Sequence, residues 1–136
     1  MSRSTAPSPL VIDASALVEL LLRSATGRRV ERVIGDAELV APDVANPEVV
    51  QSLRGLERGG KLTSARASRA IARLAESDIA RVPTRALLRD MWSMRANLSS
   101  YDACYVALAR ALDCPLLSTD ERLMRAPKLG VTLIRM

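Results

Sequence analysis

Apolar residues along the chain fall into short runs that alternate with longer stretches of helical spacing. Leu10, Val11 and Ile12 form an uninterrupted run, the pattern of a strand buried on both faces, and Asp13 ends it. Behind that acid Ala16, Leu17, Leu20 and Leu21 recur at helical spacing, so the chain turns from strand to helix at Asp13. A second amphipathic segment runs from about Gly27 to Ile34, with Val30, Val33 and Ile34 directed inward. Glu38 to Ala41 reads as a second strand stopped by Pro42. A long helix then begins between Asp43 and Asn46. Pro47 fits its first turn, where a missing N–H costs little; Val50, Leu53 and Leu56 continue it, and Gly59 and Gly60 end it.

Thr63 or Ser64 caps the next helix, which carries Ile71 and Leu74 on one side and Arg66, Arg69 and Arg73 on another. Ile79 to Val82 is a third strand closed by Pro83, after which Thr84 caps a helix through Leu87, Leu88, Met91 and Trp92. Ser99 or Ser100 caps the segment YDACYVALARAL, which ends near Asp113. Pro115 to Ser118 is a fourth strand running into Thr119 and Asp120; a short helix follows, then Val131 to Ile134 as a fifth strand. Strands alternating with helices predict an α/β domain with a mostly parallel five-stranded sheet. With 136 residues and no repeat or linker, the chain reads as one domain over 1–136.

That architecture sorts the acids. A helix directly after a parallel strand starts at the carboxyl edge of the sheet, and a helix directly before a strand, running antiparallel to it, starts there too. The first rule sends Asp13, Asp120 and the turn bearing Glu48 to that edge; the second sends Asp102 there. Ligands of open α/β sheets bind in the crevice at that edge. Each acid also has a simpler reading, since Asp is a preferred N-cap and any acid in a first helical turn is favoured by the helix dipole by about 0.3–1 kcal/mol. Four carboxylates in one crevice, however, repel one another and protonate unless a cation holds them. Oxygen ligands without His or Cys select Mg²⁺ or Mn²⁺, ions that clamp a phosphodiester and lower the pKa of their water. Asp43 and Glu121 lie near the same edge as rival ligands.

Composition narrows the chemistry. Histidine is absent, which excludes Ser-His-Asp hydrolysis, imidazole-based RNA cleavage and His-containing zinc motifs. Aromatics are only 2%, so the core is aliphatic and base-stacking surface is scarce. Cys104 and Cys114, ten residues apart on or near one helix, read as buried thiols rather than a disulfide. The net charge is +5, carried almost wholly by arginine, whose fork suits phosphate. Between Arg54 and Arg73 six basic residues face a lone Glu57, a stripe that serves either as a solvated face or as RNA contact through Arg54, Arg58, Arg66, Arg69 and Arg73. No 18-residue apolar stretch occurs and MSRSTAPSP does not read as a secretory signal, so a cytoplasmic protein is expected, with no membrane partner.

The pieces VIDASAL around Asp13, PEVVQSL with Glu48, SYDACYVALARAL with Asp102 and PLLSTDERL with Asp120 resemble, in order and spacing, the PIN-domain nucleases, and specifically the VapC toxins of bacterial toxin–antitoxin pairs. The resemblance spans nearly the whole chain. It implies a three-layer α/β/α fold and metal-dependent RNA cleavage that leaves a 5′-phosphate and a 3′-hydroxyl. It also implies a cognate VapB-like antitoxin and a homodimer. By the same resemblance Asp13, Glu48, Asp102 and Asp120 are the catalytic and metal-holding acids, with Ser15, Ser118 and Thr119 in support. Ser118 stands where relatives often carry Thr, and Arg122 where some carry a further acid, which bears on a second metal ion.

Three alternatives compete. A phosphatase with a nucleophilic Asp usually has a second Asp two residues on, where Ser15 stands here. A receiver-like binding module wants a lysine beside its acids, and Lys128 is the only one late in the chain. Neither explains Asp102. A PIN nuclease of RNA processing is the nearest competitor, and the compact format favours the toxin.

Overall fold

The computed structural model describes residues 7–126 and 129–136; most of the N-terminal lead and Lys128 lie outside them. In chain order the elements are β1 (Pro9–Ile12), α1 (Ala14–Leu22), α2 (Ala25–Ile34), β2 (Glu38–Pro42), α3 (Ala45–Arg58), α4 (Ser64–Glu76), β3 (Ala80–Val82), a 3-10 turn (Thr84–Leu87), α5 (Leu88–Ser93), α6 (Ser100–Leu112), β4 (Leu116–Ser118), α7 (Glu121–Met124) and β5 (Leu133–Arg135).

The strands form a five-stranded sheet in the order β3-β2-β1-β4-β5, every pairing parallel. Chain direction across the sheet reverses between β1 and β4, and right-handed crossovers therefore put helices on both faces. Helices α1 to α4 pack together on one face, and α5 and α6 on the other, giving three layers. The core is aliphatic: Val11 and Ile12 of β1 and Leu116 and Leu117 of β4 have no exposed surface, and Ala103 to Ala109 of α6 are buried without a break. Helix α6 packs against β1, β2 and β4, so its first turn stands over the middle of the carboxyl edge.

Local chemistry explains most boundaries. Ser24, Thr63 and Ser99 cap α2, α4 and α6 by accepting the backbone N–H groups of Gly27, Arg66 and Asp102. Gly27 is also required by space: a Cβ there would lie 2.0 Å from the Glu19 carbonyl oxygen, where α2 folds back against α1.

Several expected details differ. Pro42 does not stop β2 but is its last residue, paired with Val82; the next N–H, that of Asp43, continues the ladder to the Val82 carbonyl at 2.9 Å. Strand β5 is Leu133–Arg135 rather than Val131–Ile134, in register with the short β4. Thr84 is no cap, because Pro83, fixed at φ −60°, leads into a 3-10 turn that includes Thr84. Val33 and Val50 face outward, and Val30 and Val49 hold the inner positions. Both cysteines are free and buried.

Candidate active site

The last residues of β1 and β4 lie side by side at the point where strand order reverses, and that is where the acids gather. Asp13 follows β1 and its own N–H still bonds the Leu117 carbonyl at 3.0 Å, so its side chain is held at the strand end. It is also the N-cap of α1, its Oδ1 accepting from the Ala16 N–H at 3.0 Å. The cap is thus also a buried acid, with only 6% of its surface exposed. Ser15 donates to Oδ1 at 2.7 Å and Ser118 donates to Oδ2. Ser118, wholly buried, accepts in turn from the Asp120 N–H at 2.9 Å, and the Ser15 hydroxyl accepts from the Thr119 N–H at 3.2 Å. Two serines therefore stitch the end of β1 to the β4–α7 turn, with Thr119 contributing its backbone. The buried Asp13 carboxylate is fully partnered.

The other three acids are less enclosed. Glu48, in the first turn of α3, accepts from the Tyr105 hydroxyl of α6 at 2.6 Å. Asp102 sits in the first turn of α6 behind the Ser99 cap, half-buried. Asp120 caps α7 and is gripped by Arg122 through a 3.0 Å ion pair and the Arg122 N–H at 2.9 Å.

Electrostatics join these positions. Burial raises the Asp13 carboxyl above its ordinary value against the serine and backbone hydrogen bonds, and the Asp120 charge raises it further. Burial likewise raises Glu48, with Asp102 and Asp13 adding to the rise against the Tyr105 bond. Asp102 is raised by burial and then by Asp120. Asp120 alone is lowered, first by the Arg122 hydrogen bond. The repulsions run from Asp13 to Glu48 to Asp102 to Asp120 and back to Asp13. Four acids from distant segments thus feel one another's charge.

Their donor chemistry suits a hard divalent cation, because every group is a carboxylate or hydroxyl oxygen. Among the described residues no three metal-ligating side chains stand close enough to enclose an ion. In this arrangement Asp120 pairs with Arg122, Glu48 accepts from Tyr105 and Asp13 accepts from two serines.

Residues 10–129 match the family model of the PIN domain. The chain belongs to the PIN-domain family. Within that family it is 38% identical over 114 residues to ribonuclease VapC9 of Mycobacterium tuberculosis, covering 84% of this chain and 87% of the relative. To ribonuclease VapC3 of the same species it is 36% identical over 126 residues, 92% of each chain. The fold is shared with VapBC2 from Rickettsia felis, solved bound to a DNA fragment from its promoter, at a TM-score of 0.65 and 10% identity over 93% of this chain and 98% of that one. These identities place the chain among the VapC members of that family.

The remaining candidate residues divide by location. Asp43 follows β2 at the same edge and is exposed; Glu121 pairs with Arg125 at 3.1 Å. Of the arginine stripe, Arg73 donates to the Leu21 carbonyl at 2.7 Å and Arg66 to the Leu22 carbonyl at 3.0 Å. Both therefore lie at the C-terminal end of α1, about 13 Å along the helix from Asp13. Arg54, Arg58 and Arg69 are exposed and make no side-chain hydrogen bond among the described residues. Sequence reasoning passed over Tyr105, which reads as one more apolar position of α6. Its only signal is its place three residues after Asp102, on the same helical face.

Proposed function

We propose that this VapC-family protein hydrolyses RNA phosphodiester bonds with Mg²⁺ or Mn²⁺ held by Asp13, Glu48, Asp102 and Asp120. The observation that carries the reading is the placement of Asp13 and Asp120 at the paired ends of β1 and β4, joined through Ser118, with Glu48 and Asp102 in the first turns of α3 and α6. A bound divalent ion supplies charge neutralisation and Lewis-acid polarisation of the phosphodiester. The chain's own residues do the positioning. Ser15 and Ser118 hold Asp13 in one orientation and tie it to Asp120, Tyr105 aims Glu48, and Ser99 sets the first turn from which Asp102 projects. Arg54, Arg58 and Arg69 are assigned to the RNA backbone, with phosphate contacts that fall with salt. Arg66 and Arg73, engaged with carbonyls, are assigned at most a secondary part.

A nuclease of this kind requires restraint. VapBC2 from Rickettsia felis, bound to a DNA fragment from its promoter, shares the fold, and here a VapB-like antitoxin is proposed to cover the crevice, with the enzyme acting as a cytoplasmic homodimer. Among the described residues no helix is long and apolar enough to cross a membrane. The test is cleavage of single-stranded and looped RNA by purified protein with Mg²⁺ or Mn²⁺ and with EDTA, the ends being sequenced. Metal-dependent cuts with 5′-phosphate and 3′-hydroxyl ends are expected; undiminished cleavage in chelator would sink the mechanism. In cells, the product of the adjacent upstream reading frame is expected to relieve growth arrest.

A further inference from the structure

Beside the acids lies a groove of about 540 Å³ lined by Val44, Pro47, Glu48, Gln51, Ser52 and Tyr101. It runs along the first turns of α3 and reaches the first turn of α6. Two of its walls belong to the carboxylate crevice: Glu48 is shared with it, and Tyr101 immediately precedes Asp102. The groove therefore borders the acids at Glu48.

The lining selects what can enter. No lysine or arginine is present and one carboxylate is, so a phosphate group would be repelled. Val44 and Pro47 offer apolar surface, while the Gln51 amide both donates and accepts and the Ser52 hydroxyl does the same. Flat apolar surface with neutral hydrogen-bonding groups suits an uncharged heteroaromatic ring. The tyrosine adds the stacking face. The chain has three aromatic residues, Trp92, Tyr101 and Tyr105. Tyr105 is 2% exposed with its hydroxyl on Glu48; Trp92 is 68% exposed, with the Arg95 guanidinium 4.5 Å from its ring centroid, and does not line the groove. Tyr101 is 57% exposed. Of the three rings, Tyr101 is the one that both faces solvent and lines the groove beside Glu48.

We infer that the groove between Tyr101 and Gln51 is a base-binding subsite, in which an unpaired RNA base next to the scissile phosphate stacks on Tyr101 and presents its edge to Gln51 and Ser52. Recognition of splayed single-stranded bases by stacking and by edge hydrogen bonds is the general mode of sequence-selective RNA binding. This assignment rests on the RNA-cleaving reading of the acids and adds to it which part of the substrate is read, and by which residues. Tyr101 gives affinity for any base, and Gln51 gives preference among bases.

The test uses the full chain and single-stranded RNA carrying 2-aminopurine at successive positions around the cleavage site, bound with EDTA present so that no cutting occurs. Stacking on Tyr101 is expected to change the fluorescence at one position next to the cut. Tyr101→Ala is expected to abolish that change and weaken binding about 10- to 100-fold. Tyr101→Phe keeps the ring and is expected to restore both. Gln51→Ala is expected to flatten the base preference at that position in cleavage with metal. Because Tyr101 and Gln51 are exposed, thermal unfolding of the variants should match wild type. If wild type cuts RNA with metal and Tyr101→Ala binds and cuts as wild type does, the subsite is overturned and the nuclease reading stands. If Tyr101→Ala leaves RNA binding intact but loses the antitoxin, the groove is a protein interface and the base assignment is again overturned. If wild type neither binds nor cuts RNA, the parent reading fails and takes the subsite with it.

Discussion

At its N-terminus α1 meets a buried acid, Asp13, whose charge is opposed by Asp120 and Glu48; at its C-terminus the same helix meets Arg73 and Arg66, which donate to the Leu21 and Leu22 carbonyls. Both ends obey the helix dipole, which favours an anion at the first turn and cations at the last. They differ in what surrounds them. The arginine end is satisfied within the chain, carbonyl against guanidinium, and nothing more is required of it. The acid end gathers like charges, and three of the four carboxyls are raised there, first by burial and then by their neighbours' charge. Charge that a fold balances internally reads as structure, and charge that it leaves unbalanced points to a ligand.

The comparison can be broken most forcefully from the acid end. Asp102→Asn is expected to lower RNA cleavage by orders of magnitude. Metal-free stability should be unchanged or slightly higher, because a repelled charge is removed. Cleavage kinetics and chemical unfolding check the two halves separately. A smaller effect is expected at Ser118→Ala, which leaves all four acids in place but removes the hydroxyl joining Asp13 to the Asp120 backbone. Supporting residues of this kind typically cost 10- to 100-fold in metal affinity or activity. A decline in kcat with a raised metal requirement is expected, and full activity at limiting metal would show that the serine only fills space.

At the other end Arg73→Ala should do the reverse. Loss of a half-buried charged hydrogen bond to a helix terminus is expected to cost about 1 kcal/mol of stability, allowing for solvent screening, with kcat unchanged. Unfolding midpoints and saturating kinetics measure this directly. A fall in kcat would place Arg73 in the chemistry and erase the contrast.

The division between what the sequence revealed and what it hid follows the same line. The strand-to-helix change at Asp13 was legible because the hydrophobic period changes from an unbroken run to helical spacing within four residues. The acids were legible as a set because topology alone sends strand ends and following helix starts to one edge. Contacts made over long sequence distances were not. Tyr105 looks like core in a helix buried nearly all round, and its bond to Glu48 spans 57 residues. The destinations of Arg66 and Arg73 depend on how α4 packs against α1, which no local pattern encodes. Asp13 caps α1 with one oxygen and accepts from Ser118 with the other, so the cap reading holds and leaves the metal-holding role as the proposal.

A finer effect concerns pH. A carboxyl raised in the folded state is penalised whenever it is ionised there. Metal-free protein should therefore gain stability as pH falls from neutrality through the raised range of Asp13, Glu48 and Asp102 toward ordinary carboxylate values. Asp120, lowered by Arg122, contributes in the opposite sense, its stabilisation being lost only as pH falls below its ordinary value. Thermal unfolding between pH 4 and pH 8 should show the rise in EDTA, and saturating Mn²⁺ should flatten it. A stability that falls steadily on acidification without metal would mean that the acids are not mutually strained.

The measurement that bears most directly on the central claim compares wild type with Asp13→Asn in thermal unfolding, with and without Mg²⁺ or Mn²⁺. Asparagine caps a helix about as well as aspartate, so the substitution leaves the cap and removes the charge. Without metal the variant is expected to be as stable as wild type or more so. With metal at about 100 times its dissociation constant, wild type should gain about 2.7 kcal/mol by mass action, and the variant far less. Equal metal-induced shifts in the two proteins, accompanied by equal RNA cleavage, would return Asp13 to the role of a helix cap and contradict the account.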